Sequence, residues 1–241
     1  MKTILQTVLV GAVVLCCTPF ATAQTTQQTQ ARVAVDPPDA QTRAAWHGTL
    51  QTEVQRLDSD LTAFERDATA MRDATARDQM TRRHADFHSR HQELQREATE
   101  LQNVDANQFA QRHHDLTLRQ ARLDADIRTA QLEGARTRAD FNRATTTTLE
   151  AYDRDMTTLR QRFSQADGLA RARYARQLIH LRNQQDALRH RHTRMARIPE
   201  AQFQQERAAL TRDLAQFRTT YAEGALEADR MAMRDKRASM R

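Results

Sequence analysis

From Trp46 onward the apolar residues return at intervals of four and three: Trp46, Leu50, Val54, Leu57, Leu61, Phe64, Ala68, Met71. A second stripe runs Met80, Phe87, Leu94, Leu101, with His84, His91 and Ala98 completing it. A third runs Phe109, Leu116, Leu123, Ile127, Ala130, interrupted by the polar His113 and Gln120. This spacing puts each set along one side of an α-helix and predicts helices packed on one another through heptad seams. "RDATARD" (72–78) predicts the first break between helices. "NVDANQF" (103–109) predicts the second, with Asp105 as N-cap and Gln108 three residues on in a capping box. Val104 and Phe109 stand at the positions of a hydrophobic staple.

The pattern then repeats. "AQTRAAW" (40–46) returns as "ARTRADF" (135–141), and "LDSDLTAF" (57–64) as "YDRDMTTL" (152–159), both at an offset of 95. "NVDANQF" returns as "RIPEAQF" (197–203) at an offset of 94, with Pro199 suited to opening a helix. A duplicated three-helix unit is implied, covering 40–138 and 139–229 and followed by a basic tail, 230–241. Between the copies only Gly134 and "TTTT" (145–148) weaken the helical pattern. The expectation is an all-α chain, a tandem pair of antiparallel three-helix coiled-coil bundles forming an elongated rod. The layout resembles a spectrin-type rod in architecture only. A kink at 134–148 that folds the bundles side by side is the alternative.

Composition sharpens this. Thr49 to Glu133 contains neither glycine nor proline, which a β-rich domain with many turns could not sustain. The first residues read differently: Lys2, an apolar run from Ile4 to Cys17, then Ala21 and Ala23 in the small-residue pattern of a cleavage site. That is the form of a secretory signal peptide (1–23), with the cut expected after Ala23. A Gln- and Thr-rich stretch ending in Pro37 and Pro38 (24–39) predicts a disordered linker. A periplasmic or secreted location follows, and a mature chain with no transmembrane segment. Both cysteines, Cys16 and Cys17, fall inside the signal, so no disulfide or thiolate chemistry is expected afterwards.

Three features could carry chemistry. "DSD" (58–60) and "DRD" (153–155) are paired carboxylates at equivalent positions, but residues two apart on a helix diverge, which favours interhelical ion pairs with Arg90 and His88. His84, His88 and His91 share a helical face and form a metal-binding alternative. The third is charge. The segment 169–198 holds eight arginines against one acid, a net +7, whereas the equivalent 73–104 sums to −1. Its neighbours, 139–168 at −1 and 199–241 at +1, are too weakly acidic in sum to cancel it. Arg173, Arg176, Arg182, Arg189, Arg191, Arg194 and Arg197 are therefore the candidate anion- or partner-binding residues.

No phosphate loop, HExxH or nucleophile elbow occurs, so neither catalysis nor a cofactor is expected. The leading expectation is a non-enzymatic cell-envelope binding or scaffold protein. Its basic helix would engage anionic lipid, lipopolysaccharide or an acidic protein surface. A holdase chaperone for exported proteins, similar in charge and helicity to basic periplasmic coiled-coil chaperones, is the alternative. A His-based metal sensor is the second. Heptad faces could also pair two copies of the chain, while nucleic acid is disfavoured as a partner by export.

Overall fold

The computed structural model describes residues 38–164 and 168–238, leaving aside the side chains of 162, 168–171, 173 and 231–238. The expected signal peptide, nearly all of the linker and the last three residues of the tail lie outside the described residues. The described chain is all-helical, with no strand among those residues. Six α-helices follow in order: α1 (Ala40–Thr69), α2 (Ala74–Glu100), α3 (Ala106–Gly134), α4 (Arg138–Ser164), α5 (Gly168–Met195) and α6 (Glu200–Ala238). A single 3₁₀ turn, Leu101–Asn103, leads out of α2.

Local chemistry accounts for the helix ends. Asp39, Asp73 and Asp105 each cap a following helix by accepting a backbone N–H, from Thr42 (2.7 Å), Ala76 (3.0 Å) and Asn107 (2.8 Å) respectively. Pro199 precedes α6, and its carbonyl accepts from the amides of Gln202 and Phe203. Among the described residues no glycine has a positive φ, so none forces a turn there.

The first three helices pack on one another around Leu50, Val54, Leu57, Leu61, Phe64, Phe87, Leu94, Phe109, Leu116, Leu123 and Ile127, all buried. Cross-helix pairs fix their directions. His91 bonds the Val54 carbonyl (2.9 Å) and His47 that of Ala98 (3.0 Å), which sets α2 antiparallel to α1. Arg83 with Glu133, Arg90 with Asp126 and Arg119 with Glu97 do the same for α2 and α3. The last three helices enclose a second core with Phe141, Tyr152, Met156, Tyr174, Leu181, Leu188, Phe203, Leu210 and Phe217.

The end-to-end rod is corrected by the contact between α3 and α6, which pack along each other and bring the two triads side by side. Helix α3 does not run on into α4. It stops at Gly134, Ala135 takes an extended conformation, and Thr137 opens α4. The reason is a second capping arrangement hidden in "TRAD". Thr137 Oγ1 accepts from the Asp140 amide (3.1 Å) and donates to the Asp140 carboxylate (2.7 Å). Three residues, Ala135 to Thr137, suffice for the reversal.

Candidate functional site

Helix α5 buries Tyr174, Leu181, Leu188 and Met195, residues seven apart, so one face is committed to the core. Tyr174 donates to the Ala228 carbonyl of α6, and the buried Gln185 to Asp153 of α4 (2.8 Å). The arginines then divide. Arg189 pairs with Asp153 of α4 and with Asp186 of its own helix. Arg191 reaches across to α6, where Glu206 (2.9 Å) and Asp213 receive it. Burial alone would lower its pKa, but these carboxylates raise it above the usual guanidinium value. Arg182 is exposed, and its one ion pair among the described residues is with Asp186, at 3.9 Å. Arg176, Arg194 and Arg197 are exposed and make no ion pair among the described residues. The side chain of Arg173 lies outside the described residues.

The expectation of a wholly uncompensated row is therefore corrected at Arg189 and Arg191. Net charge per helix is blind to direction: α4 and α6 turn Asp153, Glu206 and Asp213 toward α5, while Arg207 and Arg218 of α6 turn to α3. What stays open is the outer face. There Ile179 is 58 % exposed, the only large hydrophobic side chain so exposed among the described residues. It lies three residues from both Arg176 and Arg182, one turn either way on the same face.

A second constellation is only partly legible in the sequence. At the contact between the triads, Asp124 of α3 is 1 % exposed and meets three guanidiniums: Arg218 of α6 (2.5 Å), Arg128 (3.0 Å) and Arg56 of α1 (3.3 Å). Arg218, 4 % exposed at its side chain, also reaches Asp155 of α4 (3.4 Å) and Glu53 (3.6 Å). Asp60 closes the group with Arg56 (3.2 Å) and Arg128 (3.4 Å). Burial pushes the Asp124 carboxyl up, but the arginines more than reverse this and hold it well below the usual carboxylate range. At Asp155 and Asp60 burial outweighs the arginines, and both carboxyls are raised. Tyr152 is buried beside them, donates to the Leu214 carbonyl (2.9 Å), and its phenol is pushed up by that burial. The sequence marks Asp60 and Asp155, through "DSD" and "DRD", as carboxylates for interhelical pairs, and for the rest it offers an oppositely charged pair, Asp124 and Arg218, separated by the repeat offset of 94.

The "DSD" and "DRD" carboxylates do pair between helices, with partners other than Arg90 and His88. Asp58 comes within 3.9 Å of His91, and Arg90 turns to Asp86 and Asp126. His91 bonds the Val54 carbonyl, His88 bonds Gln92 (3.0 Å), and His84 stacks on Phe64 and His88. No group of three or more His, Cys, Asp or Glu among the described residues is placed to hold a metal ion. Nor is any described helix long and apolar enough to cross a membrane. Compared with protein-family models, curated proteins and solved structures, the chain matches none.

Proposed function

We propose that this chain is a non-enzymatic, exported binding or scaffold protein of the cell envelope, built as a duplicated three-helix unit. The outer face of α5 docks on an anionic lipid surface. The observation that carries this reading is Ile179, exposed between Arg176 and Arg182 on a segment with a net charge of +7. An apolar side chain amid cations is poorly placed for water and well placed for a headgroup layer. There the guanidiniums meet phosphates and the isoleucine enters the acyl boundary. Arg194 near the end of α5 and Arg197 in the turn after it add charge that is in no ion pair among the described residues. The apolar run before Ala23 supports export.

The test is sedimentation of the protein with vesicles of phosphatidylglycerol and phosphatidylethanolamine, with and without lipopolysaccharide, across a salt titration. The combined variant Arg176→Gln, Arg182→Gln, Arg194→Gln, Arg197→Gln should lose most binding. Ile179→Ser alone should weaken it while leaving the salt slope in place. Binding equal in wild type and the four-arginine variant would place the docking face elsewhere.

A further inference from the structure

A cleft of about 740 Å³ opens where the end of α1, the 70–72 turn and the end of α3 meet the first turns of α4. Its size falls in the range of roughly 300–1,000 Å³ typical of small-molecule sites. Phe64, Ala68, Met71, Met80, Ala130 and Ala144 form an apolar part of its wall, and the rest of the lining is largely polar or charged. Met71 and Met80 rest their terminal methyls over Gly134, at 3.2 and 3.0 Å from where a Cβ would stand. Absence of a side chain at Gly134 makes room for them. Thioether side chains are unbranched and polarizable, so this wall can adapt to a flexible apolar guest.

The charges at the mouth are unequal in availability. Of the carboxylates, Asp60 is held by Arg56 and Arg128, and Asp140 by Thr137 and Arg143. Asp67 is the one lining carboxylate without an ion pair among the described residues. Against it stand Arg72 and Arg136, both exposed, both lining the cleft and neither in an ion pair among those residues. A smaller cleft of about 230 Å³, between α1, α3 and α6, is lined by the acids Glu53 and Asp229 and by no arginine.

We infer that the larger cleft is a binding site for a long-chain fatty acid, with the acyl chain against Met71 and Met80 and the carboxylate at Arg72 and Arg136. A planar guanidinium is matched to a carboxylate through two parallel hydrogen bonds, and a second guanidinium doubles the local attraction. The site is distinct from the α5 face, and it stands whether or not that face binds lipid.

Isothermal titration of the full chain with dodecanoate below its micellar concentration tests this, with dodecylammonium as the head-group control. Saturable one-to-one binding of dodecanoate is expected, with none of dodecylammonium. Arg72→Glu with Arg136→Glu should weaken it at least tenfold, and Thr147→Trp should abolish it. Thr147 lines the cleft yet is exposed, so the indole fills the opening without entering the core. Circular dichroism checks that each variant folds, and should Thr147→Trp fail, the two exposed arginine positions decide alone. The four-arginine α5 variant should bind dodecanoate as wild type does. No saturable binding, equal binding of both amphiphiles, or binding unchanged by Arg72→Glu with Arg136→Glu would overturn the site.

Discussion

Asp124→Asn deletes one charge, with almost no change of shape, from the best-buried ionic group among the described residues. Asp124 accepts from Nε of Arg218 at 2.5 Å and of Arg128 at 3.0 Å, with Arg56 at 3.3 Å, and none of these distances leaves room for a water between. Breaking a buried pair on one side typically costs about 3–5 kcal/mol, because the remaining charge is left without a partner. Here the orphaned guanidiniums keep weaker options: Arg128 has Asp60 at 3.4 Å, and Arg218 has Asp155 at 3.4 Å and Glu53 at 3.6 Å. That residual pairing places the expected loss near the lower end, about 3 kcal/mol. For a chain of this size it corresponds to a fall in Tm of roughly 6–12 °C. Urea denaturation of wild type, Asp124→Asn, Arg218→Met and the double variant measures both the loss and the coupling between the two residues. The double variant should be less destabilised than the sum of the singles, since removing both charges leaves neither stranded. A loss under about 1 kcal/mol, or strict additivity, would refute the reasoning and mean that water reaches the pair.

Acid titration should show opposing trends. The raised carboxyls of Asp155 and Asp60 contribute stability that is present below the unfolded carboxylate pKa of about 3.9 and lost as pH rises through their folded values. The depressed Asp124 contributes stability that is present above that unfolded value and lost as pH falls through its folded one. The urea midpoint should therefore rise somewhat from neutral pH toward about 4 and fall below it, with a smaller rise in Asp155→Asn; parallel curves over that span would contradict the assignment. Thr137→Ala removes the cap that opens α4 and should cost about 1 kcal/mol by thermal melting; no change would mean the reversal at 135–137 rests on packing alone. Arg191→Gln should cost under about 1 kcal/mol despite its two carboxylate partners, because a quarter of its side chain is exposed and Glu206 and Asp213 are more so. Leu57→Ala, at a residue with no exposed surface, should cost about 2–5 kcal/mol.

How much was legible can be judged residue by residue. The seam residues Leu50, Val54, Leu57, Leu61, Phe64 and Ala68 are buried as their spacing predicts, and the breaks near 72, 105 and 199 fall between helices. These are local matters: periodicity decides which side of a helix is apolar, and a cap is complete within one turn of its residue. The break before α4 is written locally too, in Thr137 and Asp140, and it falls within the 134–148 stretch where a kink is the alternative to a continuous helix.

The amino-acid sequence by itself determined the helical class, the seams and most of the helix ends, because each depends on residues within a few positions of one another. Tertiary structure alone decided that α3 lies against α6, that Asp124 meets Arg218, and that Arg189 and Arg191 are neutralised while Arg176, Arg194 and Arg197 are not. Those outcomes depend on which charges come level across helices 15 to 94 residues apart in the chain, and on the direction each side chain takes there. A composition or a periodicity carries neither quantity. The same holds for the cleft over Gly134, whose walls come from four separate helices and exist only once the chain has turned back at Ala135.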